Sequence, residues 1–316
     1  MDWQPTEMQA AIKELSAKIL SGAEDPWEEL NKAELLGLDN LLDITTLLIE
    51  VGRSGSHVPA LSTLILGAPI RSFVQDLAPG TVTTAGLLEE HSRDPRHPNT
   101  RAEDGKLYGS KICVPAADIA EYIVVPATEG IYAAKLEDCT VELQTGTDGD
   151  PLGIVTFEGT PGQRMGGAEL FDSWLPGIDV GISALLLGVA KKALKLTATY
   201  VNERHQFGRP IGSFQAVQHR SADAWINTQI MEVCLWQAAW RVEQGLASER
   251  ERAICRYWAA EGAHQVTAAA QHLHGGFGFD RDYELHRYFL VAKQWEFLLG
   301  GANAQLEKLG ELLARS

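Results

Sequence analysis

The chain has 316 residues, 45% of them hydrophobic and 22% charged, which suits a soluble globular protein with two or three subdomains. Its formal charge of −15 argues against a nucleic-acid-binding or anionic-membrane surface, because both need an excess of Lys and Arg. The N-terminal sequence lacks a basic segment followed by an apolar core, and no uninterrupted apolar run reaches the roughly 18 to 20 residues of a membrane span. We therefore expect a cytoplasmic protein.

The thiol and imidazole groups give no sign of a metal site. The cysteines are Cys113, Cys139, Cys234 and Cys255. They form no CxxC pair and indicate free thiols. His272 and His274 are two positions apart, so on a helix they would point to different sides. No bound metal is predicted.

Residues 5 to 75 carry a mainly helical pattern. The segments MQAAIKELSAKIL and LDNLLDITTLLIEVG place apolar residues at spacings of three and four, as one face of a helix requires. Gly52 is expected to end the second helix. A third helix is predicted after Pro59, running toward Leu77.

Between about Gly80 and Gly166 the pattern changes to short runs of β-branched residues separated by turns. Asp-Gly pairs at 104–105 and 148–149 and the Pro-Gly pair at 161–162 fit connections between strands. This pattern of β-branched runs and turns predicts a small β domain in the middle of the chain.

From Phe171 onward the pattern is helical again, in four segments broken near FGRPIG, EQGLASE and HGGFGFDRD. The predicted fold is therefore α+β. It has a short N-terminal helical domain (1–78), a middle β domain (79–168) and a C-terminal four-helix bundle (169–316).

Two motifs in the C-terminal part are specific when taken together. Residues 204–211 read RHQFGRPI and are followed by FQ at 214–215, and residues 271–279 read QHLHGGFGF. Alone, Arg204 would be an ordinary helix-end arginine and Gly275-Gly276 an ordinary helix cap. In this order and spacing, they resemble the R-x-x-F-G-x-x-I-x-x-x-Q and H-G-G-x-G patterns of acyl-CoA dehydrogenases. The resemblance extends to Glu50–Arg53, Pro59 and the domain order.

The resemblance implies FAD as cofactor. The cofactor-binding residues it implies are Arg204, Gln206, Phe207, His272, Gly275 and Gly276. Arg204 would pair with a phosphate as a planar charged fork, Gln206 would offer an amide hydrogen bond and Phe207 would shield the ring system. Gly275-Gly276 would let the backbone approach the cofactor closely, and His272 would donate a hydrogen bond.

The same resemblance implies that the family's catalytic Glu is missing from its usual position. Dehydrogenation of an acyl-CoA needs a carboxylate to remove the α proton, and many family members carry this Glu just before a Gly-Thr pair. Here Leu299 stands in that position, before Gly300-Gly301, and leucine accepts no proton. Other members carry the base near the start of the first bundle helix, where this chain has Ile178 with Asp179 beside it. Asp179 and Glu296 remain alternatives as displaced bases.

The predicted flavin-facing segments of the β domain also depart from the family. The family's Thr-Glu-Pro-x-Ala-Gly-Ser-Asp loop corresponds here to residues 82–89, and its Trp-Ile-Thr-Asn strand to residues 112–117. Pro115 lies in the second segment and has no N–H to donate.

Taken together, the resemblance implies a subunit that clasps FAD but needs a partner. The implied partner is a larger acyl-CoA dehydrogenase α subunit that carries the catalytic Glu and binds most of the acyl-CoA, in an α2β2 assembly. Such assemblies oxidise bulky acyl-CoA thioesters in bacterial steroid catabolism. Two alternatives remain: a self-sufficient homo-oligomer that uses Asp179 or Glu296 as base, and a non-enzymatic scaffold of the same fold.

Overall fold

Residues 4–315 are described by a computed structural model in which helices precede and follow a group of strands. The helices are α1 (Glu7–Gly22), α2 (Pro26–Lys32), α3 (Leu41–Ser54), α4 (Ala68–Phe73), α5 (Ala168–Glu203), α6 (Gln215–Glu243), α7 (Glu249–His274), α8 (Leu285–Trp295) and α9 (Ala302–Ala314). The strands are β1 (Thr83–Ala85), β2 (Arg101–Glu103), β3 (Lys106–Pro115), β4 (Tyr122–Ala127), β5 (Gly130–Lys135), β6 (Thr140–Thr145), β7 (Pro151–Pro161), β8 (Gln163–Gly166), β9 (His205–Gln206) and β10 (Arg209–Pro210). This order confirms the predicted α+β class.

The chain forms two compact units. The described residues of the helical unit are 4–22, 40–56 and 179–315, and the strand-containing unit comprises residues 23–39 and 57–178. The boundary between them falls inside α5. The three-domain division at 78/79 and 168/169 stays a prediction.

The strand-containing unit holds two four-stranded sheets. One has the order β1-β4-β5-β8 and is antiparallel except for the β1–β4 pair, and the other is the antiparallel sheet β2-β3-β7-β6. The core of this unit consists of buried aliphatic and aromatic side chains from both sheets, such as Leu107, Ile123, Val155 and Phe157. The alternation of buried and exposed positions in β7 is the period-two pattern expected of a half-buried strand.

Gly52 does not end the second helix, and here the sequence prediction was wrong. Helix α3 continues through it to Ser54 and is capped by Gly55 at a φ of +65°. A Cβ on Gly52 would lie 2.0 Å from the carbonyl oxygen of Leu185, and a Cβ on Gly188 would lie 2.0 Å from that of Ile49. These two glycines therefore allow α3 and α5 to approach backbone to backbone.

The segment after Pro59 also ends earlier than predicted. A π-helical turn covers Ser62–Leu66, and α4 stops at Phe73 rather than reaching Leu77. Between them Gly67 packs so tightly on β1 that a Cβ there would lie 2.0 Å from the Thr83 hydroxyl oxygen. This close approach interrupts the regular helix.

In the C-terminal part, the first three predicted segments are α5, α6 and α7, and the fourth is divided into α8 and α9. Helix α5 contains a window apolar enough to cross a membrane by composition, yet 83% of that window is buried within the protein. Buried residues such as Leu186, Leu187, Val189 and Ala190 give it the character of a core helix.

Candidate functional site

The first motif forms an exposed hairpin directly after α5. Strands β9 and β10 pair antiparallel, and the turn between them places both Phe207 and Gly208 at positive φ, +54° and +79°. The Arg204 backbone N–H donates to the Tyr200 carbonyl and the Ile211 N–H donates to the Arg204 carbonyl, each at 2.8 Å, so the hairpin is tied to the end of the helix. Phe207 is 91% exposed.

The two arginines of this hairpin are used differently. The Arg209 guanidinium lies 4.3 Å from the centre of the Phe214 ring, a cation–π contact within the hairpin. The Arg204 guanidinium is exposed and makes no hydrogen bond or ion pair with any other residue in the range 4–315. Arg204 is therefore available to an anionic group from outside the chain.

The second motif forms a tight turn after α7. Gly275 has a φ of +61° and a ψ of −140°, a combination that only glycine adopts readily. Apart from the adjoining backbone of the turn and its chain neighbours, no atom of the described residues lies within 4 Å of a Cβ placed on Gly275 or Gly276, so the space beside this backbone is open. Gly278 is different, because its Cβ would lie 2.9 Å from the Gln271 carbonyl oxygen.

An aromatic cluster joins the two motifs. The rings of Tyr200 and His274 stack with centroids 4.2 Å apart, and the Tyr200 hydroxyl donates to the His274 carbonyl at 3.4 Å. Phe277 packs on Tyr283, with centroids 4.3 Å apart. The hairpin and the glycine turn are therefore neighbours on the helical unit, as a shared ligand would require.

His274 is held in one neutral tautomer. A carbonyl only accepts hydrogen bonds, so Nδ1 must carry the proton that is donated to Ala270 at 2.7 Å, and Nε2 then accepts from the Tyr283 hydroxyl at 3.3 Å. Burial lowers the pKa of His274 below its usual range, against the opposing effect of the Ala270 carbonyl. His272, the histidine predicted to contact the cofactor, is exposed on α7 beside the turn, whereas His274 is buried and directly precedes the glycine pair.

The turn after α8 carries Leu299 at a φ of +59° and Gly300 at +94°. The Gln305 side-chain amide donates to the Leu299 carbonyl at 3.1 Å, and Arg256 Nη2 donates to the Leu298 carbonyl at 2.6 Å. The backbone of this turn is thus fixed from two sides. The residue at position 299 remains without an acid–base group.

Asp179, one alternative base, is buried and already paired. Its carboxylate accepts from Arg252 Nη1 at 2.5 Å and lies 3.8 Å from Arg256 Nε. Both arginines are buried, and burial lowers the pKa of Arg256 while Asp179 opposes this effect. A proton accepted by Asp179 would leave two buried cations without a countercharge, which argues against a role as base.

Glu296, the other alternative, is also buried. Its Oε1 accepts from Lys293 Nζ at 2.8 Å, and its Oε2 is a buried acceptor without a hydrogen-bond donor among the described residues. Lys293, three residues earlier in the chain, forms an ion pair with Glu296. This pair explains a buried charge at Glu296 without a catalytic role.

The segments that resemble the flavin-facing loops of the β domain satisfy their polar groups internally. The Thr84 hydroxyl donates to the Pro115 carbonyl at 2.6 Å. Lys111 is fully buried and donates to Glu89 at 2.5 Å and to the Pro126 carbonyl at 2.7 Å. Burial disfavours the charge of Glu89, yet hydrogen bonds, the strongest from Lys111, hold its pKa at about 2. The ion pair is therefore a structural element of the sheet.

Within residues 4–315, no group of three or more His, Cys, Asp or Glu side chains is placed to hold a metal ion. The four cysteines are free thiols. Burial raises the pKa of Cys255 to about 12, which leaves that thiol protonated and unreactive.

Comparison with known proteins places the chain in a family. The family description "Acyl-CoA dehydrogenase, C-terminal domain" matches residues 179–314. Acyl-CoA dehydrogenase FadE27 of Mycobacterium tuberculosis is 33% identical, over 90% of this chain and 84% of that protein. Among solved structures, a variant of the Tcur3481-Tcur3483 steroid ACAD is 33% identical with a TM-score of 0.90, covering 98% of each chain. The ChsE4-ChsE5 complex from Mycobacterium tuberculosis is 28% identical with a TM-score of 0.91, covering 100% of each chain.

The fold and the paired motifs thus define a flavoprotein of the oxidoreductase class. The chain belongs to the acyl-CoA dehydrogenase family. FAD is the cofactor of this family, as the resemblance of the two motifs implied.

Proposed function

We propose that this chain is the non-catalytic, FAD-clasping subunit of a two-subunit acyl-CoA dehydrogenase. The complex removes two hydrogens across the α,β bond of a bulky, steroid-derived acyl-CoA thioester in the cytoplasm. The observation that carries the proposal is a contrast. Among residues 4–315, the unpaired Arg204 and the open turn at Gly275 fit a dinucleotide. Leu299 has no acid–base group, and the two other candidate bases, Asp179 and Glu296, are buried and already form ion pairs.

The residues of the two motifs fit one end of FAD. Arg204 supplies a free guanidinium for the pyrophosphate, and Gly275 and Gly276 border open space that any Cβ would reduce. Gln206 and His272 are exposed beside them and offer hydrogen bonds. When bound, FAD accepts the hydride that leaves the β carbon. The tasks of this chain are to hold the phosphates and to cover one side of the cofactor with Phe207.

The partner supplies the remaining parts. Exposed phenylalanines support this part of the proposal, because large exposed apolar side chains are typical of surfaces that bind another protein. They are Phe207, Phe277, Phe279 and Phe297. The similar Tcur3481-Tcur3483 and ChsE4-ChsE5 structures each name two components. In our proposal the larger partner carries the Glu that removes the α proton, binds most of the acyl-CoA and assembles with this chain as α2β2.

The experiment is co-expression with a larger acyl-CoA dehydrogenase chain of the same organism that carries the catalytic Glu. We expect a yellow complex whose flavin spectrum is bleached by a steroid acyl-CoA and which reduces ferricenium, whereas this chain alone is colourless and inactive. Arg204→Ala is expected to lower the FAD content of the complex. Arg250→Ala removes another exposed guanidinium, at the first turn of α7, and is the control.

Three outcomes would contradict the proposal. A pure chain that binds FAD and turns over alone would favour the self-sufficient homo-oligomer. A colourless complex that lacks FAD would favour the scaffold. Loss of FAD in Arg250→Ala to the same degree as in Arg204→Ala would show that the hairpin has no special role.

A further inference from the structure

A cavity lies in the helical unit, apart from the two motifs. It measures about 680 Å³ and is bordered by α1, α3 and α6 and by Lys191 of α5. Among the described residues that line it, none belongs to the hairpin, to the Gly275 turn or to the Leu299 turn. Its volume is in the range of about 300–1,000 Å³ that is typical of small-molecule pockets.

The lining of the cavity combines aromatic, aliphatic and polar side chains. Trp236 and Trp240 are four residues apart on α6, so they lie on the same face of the helix. The other lining residues include Ala10 and Ala17 of α1 and Ile49 of α3, together with longer polar side chains of α1. A pair of indoles on one helix face, with small and aliphatic side chains in the same lining, suits a flat ring system.

The two indole N–H groups of Trp236 and Trp240 have no acceptor among the described residues, whereas those of Trp27 and Trp174 do. Trp27 donates to the Gly80 carbonyl and Trp174 donates to the Ile65 carbonyl, each at 3.0 Å. Half-buried Trp236 and Trp240 therefore leave two donors for oxygen atoms of a ligand.

The formal charges of the side chains that line the cavity sum to zero. Its lining contains three cations and three carboxylates: Lys13, Arg53, Lys191, Glu14, Glu50 and Glu232. Lys191 pairs with Glu232 at 2.6 Å and Arg53 pairs with the buried Glu50 at 3.6 Å. A site for a polyanion such as a nucleotide or a CoA moiety would need an excess of cations, so this lining favours an uncharged ligand.

We infer that this cavity binds a neutral small molecule that has a flat ring system and an oxygen acceptor. The ring system lies against Trp236 and Trp240, and the oxygen accepts from an indole N–H. The inference does not rest on the proposed dehydrogenase function, because the cavity shares no lining residue with the FAD-clasping motifs.

The test uses two naphthalene fluorophores with the full-length chain. The neutral ketone 6-propionyl-2-dimethylaminonaphthalene is expected to bind saturably, one per chain. The anion 2-(p-toluidinyl)naphthalene-6-sulfonate is expected to bind about tenfold more weakly or worse, which is about 1.4 kcal/mol. Equal binding of both probes, or no saturable binding of the ketone, would overturn the inference.

A matched pair of variants on α1 locates the probe. Ala17→Trp fills the cavity and is expected to weaken binding of the ketone at least about tenfold. Ala11→Trp adds the same side chain at an exposed position of α1 that does not line the cavity, and it should leave binding unchanged. Thermal unfolding of each variant separates loss of the site from loss of the fold. Unchanged binding in a folded Ala17→Trp protein would place the probe elsewhere.

Discussion

The Tyr200 ring stacks on the His274 ring at a centroid distance of 4.2 Å, and this contact joins the end of α5 to the end of α7. It bridges 74 positions of sequence and brings together the two motifs that resemble a cofactor-binding pattern. Tyr200→Leu is expected to lower the free energy of unfolding by about 2 kcal/mol, because it removes a stacked pair and a hydrogen bond. Tyr200→Phe keeps the ring and should cost about 1 kcal/mol. Urea unfolding of both variants checks this order, and equal losses would show that the stacking adds nothing.

The neutral state of His274 predicts a pH dependence of stability. Because the folded pKa is lowered from the ordinary value of 6.5, the unfolded chain binds more protons than the folded chain below that pH. The stability contributed by neutral His274 is therefore present above pH 6.5 and decreases as the pH falls through it. His274→Gln should remove this part of the dependence, at about 1.4 kcal/mol for each unit of pKa difference. Unfolding free energies from about pH 7.5 to pH 5 measure it, and identical slopes for the two proteins would contradict it.

Asp179 is expected to act as a countercharge. Asp179→Asn should destabilise the chain by about 3–5 kcal/mol, because Arg252 and Arg256 would then be buried cations without a carboxylate. The control is Glu311→Gln, which removes an equal charge from an exposed ion pair with Arg315 and should cost less than about 1 kcal/mol. The denaturant concentrations at the unfolding midpoints of both variants measure these two losses of stability. Similar small losses would return Asp179 to the list of candidate bases.

Gly188 is expected to tolerate no side chain. Gly188→Ala places a methyl group where the Ile49 carbonyl lies, so α3 and α5 must separate at a cost of about 1–3 kcal/mol or more. Gly310→Ala is the matched control, because Gly310 is exposed in α9 with no atom within 4 Å of its Cβ position. There alanine should stabilise the helix by about 0.5–1 kcal/mol. The midpoint temperature of thermal unfolding should fall for Gly188→Ala and rise for Gly310→Ala. A shift of both midpoints in the same direction would refute the close-packing argument.

Much of the architecture was accessible from sequence because it depends on local pattern. Spacings of three and four predicted α1 and α3, and β-branched runs with Asp-Gly turns predicted the strand-containing region between Gly80 and Gly166. The Arg204 and Gly275 motifs were recognised from residue identity and spacing. The family membership they implied is confirmed. The cofactor-binding role of six residues stays a prediction: Arg204, Gln206, Phe207, His272, Gly275 and Gly276.

A sequence prediction was wrong where the role of a residue depends on a partner far away in the chain. Gly52 was expected to end a helix because glycine weakens helices, but its role is set by Leu185, which is far away in sequence. Sequence spacing also did not reveal that Tyr200 stacks on His274, whereas the cofactor-binding role of His272 stays a prediction. Nothing in the local sequence indicated that Trp236 and Trp240 border a cavity with α1.

The sequence by itself determined the order of helices and strands, the two motifs and the absence of a carboxylate at position 299. Only the tertiary structure decided that Asp179 is neutralised by Arg252 and that the Gly275 turn borders open space. It also decided that Arg209 contacts Phe214, whereas Arg204 has no hydrogen-bond or ion-pair partner among residues 4–315. The reason is physical. Helices and strands follow from periodicities within a few residues, whereas the burial, pairing and accessibility of a charge depend on groups that only folding brings within a few ångströms of it.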